Sequence, residues 1–451
     1  MQFVKTLLLL LFPTLLMARN NTVSTVADTT MVDGHPAWIM QGNIYEVNVR
    51  QYTPEGTFKA FAKHLDRLKD MGVQTLWFMP INPISKVDRK GSLGSYYAVS
   101  DYTAINPEFG TMADWKALVK EAHSKGFKVI IDWVPNHTGA DHYWLVKHPD
   151  FYEKDSTGKA KMAADWADTR KLDYNNMEMQ DTMIAQMKFW ITTSGIDGFR
   201  CDVASGPSDA FWKRCIPTLR KQKNIFTLAE GDQPSLNEDG FDATYTWNDF
   251  NMMKLIAKGE RPASAMDSAL NKTDATFPAN TLRMFFTSNH DENTWNKADY
   301  ETMPGAVHAP FAVLTQTVKR SVPLIYSGQE EPFLRAIRFF DKDTITFKKY
   351  ARAAFYKKLL ALHKSNPALS ADASFKKVIA GDEKAVYAYV REKGHHKVLV
   401  VLNLSASPQQ IQIKDAALYG EPYNVFAGKK EELKNKSWRM EPWGYAVYDY
   451  K

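Results

Sequence analysis

Cysteine is nearly missing from this chain: Cys201 and Cys215 are the only two thiols in 451 residues. That scarcity excludes a disulfide framework of several bridges, and two thiols alone make a poor zinc site. A chain this long needs neither, because its core can be large. No run of Lys or Arg stands out in a net charge of +6 spread over the whole length, so nucleic acid is not expected as a partner. Long hydrophobic runs are confined to the start, MQFVKTLLLLLFPTLLMARN, where Lys5 precedes a leucine run interrupted by Pro13 and closed by Ala18. This is the pattern of a secretory signal peptide cleaved near Ala18, and the run is too short for a comfortable membrane span. A secreted or periplasmic location is therefore expected, with no membrane span after signal removal. Oligomeric state is not legible.

Aromatic residues, by contrast, are plentiful at 13%, with 12 Trp and 20 Tyr. Most must fill cores, yet Tyr and Trp in excess also suit a cleft in which flat rings stack on sugars.

Strand-like and helix-like stretches alternate along most of the chain. Strands are expected at 44–52, 73–81, 127–137, 195–204, 224–230, 241–247, 282–290 and 322–328, with amphipathic stretches such as 58–72, 112–126 and 176–195 between them. Eight strand-then-helix units predict an α/β fold, a closed (β/α)8 TIM barrel. The polar stretch after the third strand is too long for an ordinary connection and reads as a small excursion. From about residue 375, KAVYAYVRE, KVLVVLNLS and QQIQIKD alternate at period two, predicting a C-terminal antiparallel β-sandwich. The expected layout is a signal peptide at 1–18, a barrel from 36–137 and 178–365, an excursion at 138–177 and a sandwich at 370–451.

Within GIDGFRCDVA (195–204), alternation places Gly198, Arg200 and Asp202 on the barrel interior and Phe199, Cys201 and Val203 toward the helices. Cys201 is thus expected to pack rather than react. The charges lie at the C-terminal end of the strand, where barrel enzymes place their chemistry. Other strand ends match: Glu230 closes NIFTLAE, His290 and Asp291 close LRMFFTSNHD, and Asp132, Asn136 and His137 lie in DWVPNH. Singly, each acid could accept loop hydrogen bonds. Together they present the paired carboxylates that glycoside hydrolysis requires, one ionised to attack and one protonated to donate. Arg200 is expected to hold Asp202 ionised, and Glu230, with no cation beside it in sequence, to keep its proton.

FRCD (199–202), AEG (229–231), NHD (289–291) and DWVPNH (132–137), in that set of strand ends, resemble the four short motifs of the alpha-amylase family, glycoside hydrolase family 13. The resemblance runs from about residue 40 to 365 and includes the excursion and the trailing β-domain. It implies that Asp202 is the nucleophile, Glu230 the general acid/base, and Asp291 the third acid, which stabilises the transition state. Arg200 would orient the nucleophile, His137 and His290 would bind the sugar, and Tyr97, four residues before Asp101 in SYYAVSDY, would stack on it. Asp101, Asp132 and Asn136 would be structural, with Asn136 a calcium ligand in many relatives. The implied reaction is retaining hydrolysis of α-1,4-glucosidic bonds in starch, maltodextrins or related α-glucans, with the two carboxyls about 5–5.5 Å apart.

The sequence departs from the pattern just after the nucleophile. Ser205 and Gly206 stand where many amylases have Lys-His, which puts calcium and the leaving-group subsites in doubt. No cofactor is required, and calcium is left as a candidate. KLDYNN (171–176) does not match a subfamily motif closely enough to separate an amylase from an α-glucosidase, a cyclomaltodextrinase or neopullulanase-like enzyme, or a transglycosylase. A non-catalytic glucan-binding or transporter-accessory protein is the rival from another class, disfavoured by retention of all three acids.

Overall fold

The computed structural model describes residues 29–450; the stretch expected to be a signal peptide, including Lys5 and Ala18, lies outside them. The eight expected strands all form: β1 (Ile44–Val47), β2 (Thr75–Phe78), β3 (Lys128–Trp133), β4 (Gly198–Cys201), β5 (Phe226–Ala229), β6 (Ala243–Tyr245), β7 (Leu282–Met284) and β8 (Leu324–Tyr326). Neighbours pair in parallel in chain order, and β8 pairs back to β1. The ring closes between β7 and β8, where the Val322 amide donates to the Arg283 carbonyl and Leu324 to Phe285.

Period two divides the strand side chains. Tyr45, Val47, Leu76, Phe78, Ile131, Phe199 and Cys201 join the core beneath the helices. Ile44, Trp77, Ile130, Leu228 and Tyr245 belong to a second core that runs on to Tyr389, Val400 and Val447 of the C-terminal domain. Helix boundaries follow local chemistry. A capping box of Thr111 and Asp114 starts Met112–Ser124, and the Asn176 side chain caps Met177–Ser194, which ends at left-handed Gly195.

All eight strands are shorter than their sequence patterns, and two of them give way early to other structure. After Val47 the chain turns into a helical turn, Val49–Tyr52, and after Met284 it leaves the sheet. Asn289 then caps a short helix, His290–Thr294, by accepting from the Glu292 amide at 2.8 Å. Apolar strand-like residues in both stretches are buried by tertiary packing instead of by the sheet.

The excursion opens with His137–Gly139, paired antiparallel with Thr169–Lys171. The C-terminal domain is a six-stranded antiparallel sheet that includes Ser374–Val378, Val386–Lys393, His396–Asn403 and Tyr445–Tyr450. It faces a two-stranded sheet, Gln409–Gln412 with Ser437–Met440, across a core of Val390, Leu399, Ile411 and Met440. No helix among the described residues is long and apolar enough to cross a membrane.

Candidate active site

Sheet register builds the site. Asp132 pairs with Arg200 and Trp133 with Cys201 across β3 and β4, so the two charged side chains are neighbours on the barrel interior. The same ladder continues past the strand ends: the Asp202 amide donates to the Trp133 carbonyl at 2.8 Å, and the Glu230 amide to Cys201 at 2.9 Å. Gly198 permits the tight seam with β5, because a Cβ there would lie 1.9 Å from the Phe226 carbonyl oxygen.

Arg200 is fully buried and gathers the acids. Its Nη1 donates to Asp132 Oδ1 at 2.8 Å and to Asp202 Oδ1 at 3.0 Å, its Nη2 lies 3.1 Å from Glu230 Oε1, and its Nε donates to the Tyr245 hydroxyl at 3.1 Å. Trp77 and Tyr245 flank the guanidinium at 5.1 and 5.5 Å. Beside it, His290 is held at both nitrogens: Nδ1 is 2.5 Å from Glu46 Oε1 and Nε2 is 2.8 Å from the Tyr97 hydroxyl, which donates to Asp132 at 3.1 Å. Burial opposes charge on this imidazole, but Asp291 and Glu46 outweigh it and push its pKa to about 9. His290 is therefore a cation at neutral pH, able to donate from both nitrogens.

A cavity of 380 Å³ opens above this layer, within the size range of small-molecule sites. Of the residues expected from sequence, Tyr97, His137, Asp202, Glu230, His290 and Asp291 line it, while Arg200 and Asp132 lie buried behind. His137 presents a buried Nε2 with no hydrogen-bond partner in the protein, and burial pushes its pKa to about 4, so the ring is neutral. Asp101 stays outside the cavity and accepts from the Thr103 amide and hydroxyl, a turn-forming role.

Two sequence expectations are corrected here. Val203 does not face the helices. The strand has ended at Cys201, Val203 adopts φ 41°, and it lines the cavity. A β-branched residue in that region is strained, and the turn aims its amide at Glu230 Oε2, 2.7 Å away.

The protonation order is also reversed in the free site. Burial and the charge of Glu230 push the Asp202 carboxyl well up, and Arg200 only partly offsets them. Burial pushes Glu230 up too, but Arg200, the Val203 amide and His290 more than compensate and leave it lowered. Sequence adjacency hid the fact that one guanidinium reaches both acids.

Asp202 and Glu230 interact directly and share the Arg200 guanidinium, so the two titrate as a unit.

Calcium does not fit at Asn136. Its Oδ1 accepts from the Lys171 ammonium, its Nδ2 contacts His137 Nδ1 at 3.0 Å, and a Cβ on Gly206 would lie 2.0 Å from that Oδ1. The oxygen that would meet a metal already meets a cation. Among the described residues, no group of three or more His, Cys, Asp or Glu could hold a metal ion. Cys201 and Cys215 are buried and free, and burial pushes both thiols up, in keeping with packing.

Sequence reading missed Glu46, Lys171 and the cavity wall of Lys90, Trp166, Asp168, Trp295, Phe339 and Phe340. Glu46 had a signal, an acid at an inward position of the apolar strand IYEV. The wall residues sit in irregular loops that carry no period.

A family model described as alpha amylase, catalytic domain, matches residues 20–212, and one described as maltogenic amylase, C-terminal domain, matches 377–447. Residues 20–212 thus match the alpha-amylase catalytic-domain family. Among solved structures, a Lactobacillus plantarum alpha-amylase superimposes with a TM-score of 0.83 at 29% identity, covering 92% of this chain and 100% of that one. A noncanonic maltogenic alpha-amylase, AmyB, from Thermotoga neapolitana gives 0.79 at 26%, covering 92% and 97%. Alpha-amylase MalA of Haloarcula japonica is 25% identical over 398 residues, 83% of this chain. The chain spans only 57% of that relative's length.

Proposed function

We propose that the chain is a retaining glycoside hydrolase that cleaves α-1,4-glucosidic bonds of starch, maltodextrins or related α-glucans by double displacement. The observation that carries this reading is the contact of Asp202 and Glu230 over one guanidinium, with Asp291 lining the same cavity. The shared guanidinium supports a close, retaining pair over an inverting one, which needs about 6.5–9.5 Å for water.

In the free site the shared proton favours Asp202. As the sugar enters, the shared proton passes along the existing bond from Asp202 to Glu230, which then donates to the glycosidic oxygen. Asp202, ionised beside Arg200, then attacks the anomeric carbon while Glu230 protonates the leaving oxygen. Deprotonated Glu230 next activates water, which releases the sugar from Asp202. His290, Asp291 and neutral His137 supply donors and acceptors to the ring hydroxyls.

A second reading, a cyclomaltodextrinase- or neopullulanase-like enzyme, draws on the maltogenic type of the C-terminal match. Chromatography of early products from maltoheptaose separates the two. A spread of lengths supports an endo-acting amylase, and maltose or glucose from the first minutes supports the second reading. Asp202→Asn and Glu230→Gln are each expected to lower kcat by at least about 10³-fold. Full activity surviving either change would refute the assignment. Export through the N-terminal leader is proposed on its sequence pattern alone.

A further inference from the structure

A groove of 420 Å³ lies where the barrel meets the C-terminal domain, and it shares no residue with the catalytic cavity. One wall is the end of helix Trp247–Ala257 with the turn that follows to Pro262, and the other is Lys384, residues 404–406 and Trp443. The helix starts just after β6, at the open face, and its 11 residues carry the chain about 16 Å back from it. The groove is thus remote from Asp202 and Glu230, and the proposed reaction does not use it.

Three cations border it: Lys258, Arg261 and Lys384, all exposed. None of their side chains meets a carboxylate among the described residues, and the nearby acids are engaged elsewhere. Glu383 is 2.7 Å from the Lys377 ammonium, and Asp382 accepts from the Lys384 backbone amide at 3.0 Å. Among the described residues, Glu260 is the one acid that lines the groove. The excess of two positive charges is what a phosphate monoester neutralises near neutral pH, and an arginine fork suits its oxygens. The negative end of the helix is covered, because the Lys258, Gly259 and Glu260 amides take the Lys254, Ile256 and Leu255 carbonyls.

The two walls are tied together by backbone. The Ala263 amide donates to the Lys384 carbonyl at 2.8 Å and the Ser264 amide to the Glu383 carbonyl at 3.1 Å, which keeps Arg261 and Lys384 on one rim. Trp443 is held at φ 57°, a conformation that a non-glycine residue keeps only where its surroundings enforce it. Its amide donates to the Ser405 carbonyl at 3.1 Å, and its ring leans on Phe311 at 6.3 Å. The indole stays half-buried at the groove. A flat apolar ring beside unpaired cations matches a ligand with an apolar C–H face and an anionic group.

We infer that this groove binds a phosphorylated sugar, free or as a unit of a glycan. Lys258, Arg261 and Lys384 hold the phosphate, and the pyranose face lies on Trp443. The site stands apart from the hydrolase reading, since no groove residue belongs to the catalytic cavity.

Calorimetric titration of the intact protein with glucose 6-phosphate, glucose and inorganic phosphate tests the site. Glucose 6-phosphate is expected to bind at least about tenfold more tightly than either of the others, and more weakly as salt rises. Arg261→Gln combined with Lys384→Gln, both at exposed positions, should weaken that binding at least about tenfold and leave kcat on maltoheptaose within about twofold. Trp443→Asn, which tolerates the same φ, should abolish the preference for the sugar phosphate over inorganic phosphate. Electrophoresis through a phosphorylated glucan, and through the same glucan after phosphatase, identifies the source. Greater retardation by the phosphorylated polymer assigns a glycan unit, and equal migration with tight sugar-phosphate binding assigns the free ligand.

Equal affinity for glucose and glucose 6-phosphate would overturn the site. So would inorganic phosphate binding as tightly as the sugar phosphate, binding that survives the double substitution, or no binding of any of the three. A protein inert toward maltoheptaose that still binds glucose 6-phosphate would overturn the hydrolase reading alone and leave this site standing.

Discussion

Two of the fully buried arginines, Arg200 and Arg391, do opposite work. Arg200, at the open end of the barrel, meets three carboxylates and a tyrosine hydroxyl. Arg391, at the seam with the C-terminal domain, meets only carbonyl oxygens: Ser374 from Nε, Thr317 and Val318 from Nη1, and Ser370 and Ala373 from Nη2. Burial opposes charge on both. The carboxylates overcome it at Arg200 and raise its pKa, whereas carbonyl dipoles do not at Arg391, whose pKa is pushed down to about 10. The partners around Arg200 can gain or lose protons, so its cluster can drive a reaction. The partners around Arg391 have fixed dipoles, so it can only hold: it ties the end of helix His308–Thr317 to the link at 370–374 and to the sheet.

The largest expected effect exposes that difference. Arg200→Met should lower kcat/KM by at least about 10³-fold, since both acids lose their orienting charge. Arg391→Met should instead cost about 3 kcal/mol of stability, because several buried carbonyls lose a donor together, with kcat of the folded enzyme unchanged. Urea unfolding and steady-state kinetics on both variants check the pair. A changed kcat or pH profile in Arg391→Met would break the contrast, and so would an Arg200→Met enzyme that is merely unstable.

A smaller effect concerns the cation beside Arg200. His290 is held near pKa 9 by Asp291 and Glu46, above the ordinary value near 6.5. Its contribution to stability is therefore fully present below about pH 6.5 and is lost as pH rises through about 9. Glu46→Gln removes one of the two anions and should move that alkaline loss down by about 1 to 3 pH units. Melting temperatures from pH 6 to 10, with the His290 ring followed by NMR, read the shift. An unmoved transition would show that Glu46 does not set the charge of His290.

The two arginines also show which parts of the structure are legible in sequence. Arg200 stands out because it interrupts an apolar strand beside Asp202, and alternation alone puts both on the interior. Arg391, in VYAYVRE, looks like an exposed strand residue, since its partners are backbone groups from segments about 20 to 75 residues away. The eight barrel strands are legible for the same reason as Arg200, because strand period and order are local. The protonation order of Asp202 and Glu230 is not, because it depends on Arg200 reaching a strand 30 residues further on. Nor are the cavity walls at Lys90 and Asp168, which meet only after the excursion folds back over the barrel. Period ends where strands end, and Val203 is the first residue past that limit.

A third cation lies between these extremes and carries the smallest prediction. Lys171 is half-buried in the returning strand of the excursion, and it donates to Asn136 Oδ1 at the end of the DWVPNH motif. It meets a neutral amide, as Arg391 meets neutral carbonyls, but it sits next to His137 and the cavity, as Arg200 sits beneath it. If the ammonium serves in place of a metal, added calcium and added chelator should both leave the wild-type melting temperature unchanged. Lys171→Met should lose about 2 kcal/mol, the net value of one charge-assisted hydrogen bond, while kcat changes little. Calcium restoring the melting temperature of Lys171→Met, but not affecting wild type, would show that the amide oxygen can accept either cation and that the lysine excludes the metal. Wild type losing stability in chelator would place a metal elsewhere in the chain and leave Lys171 as an ordinary hydrogen-bond donor, closer in kind to Arg391 than to Arg200.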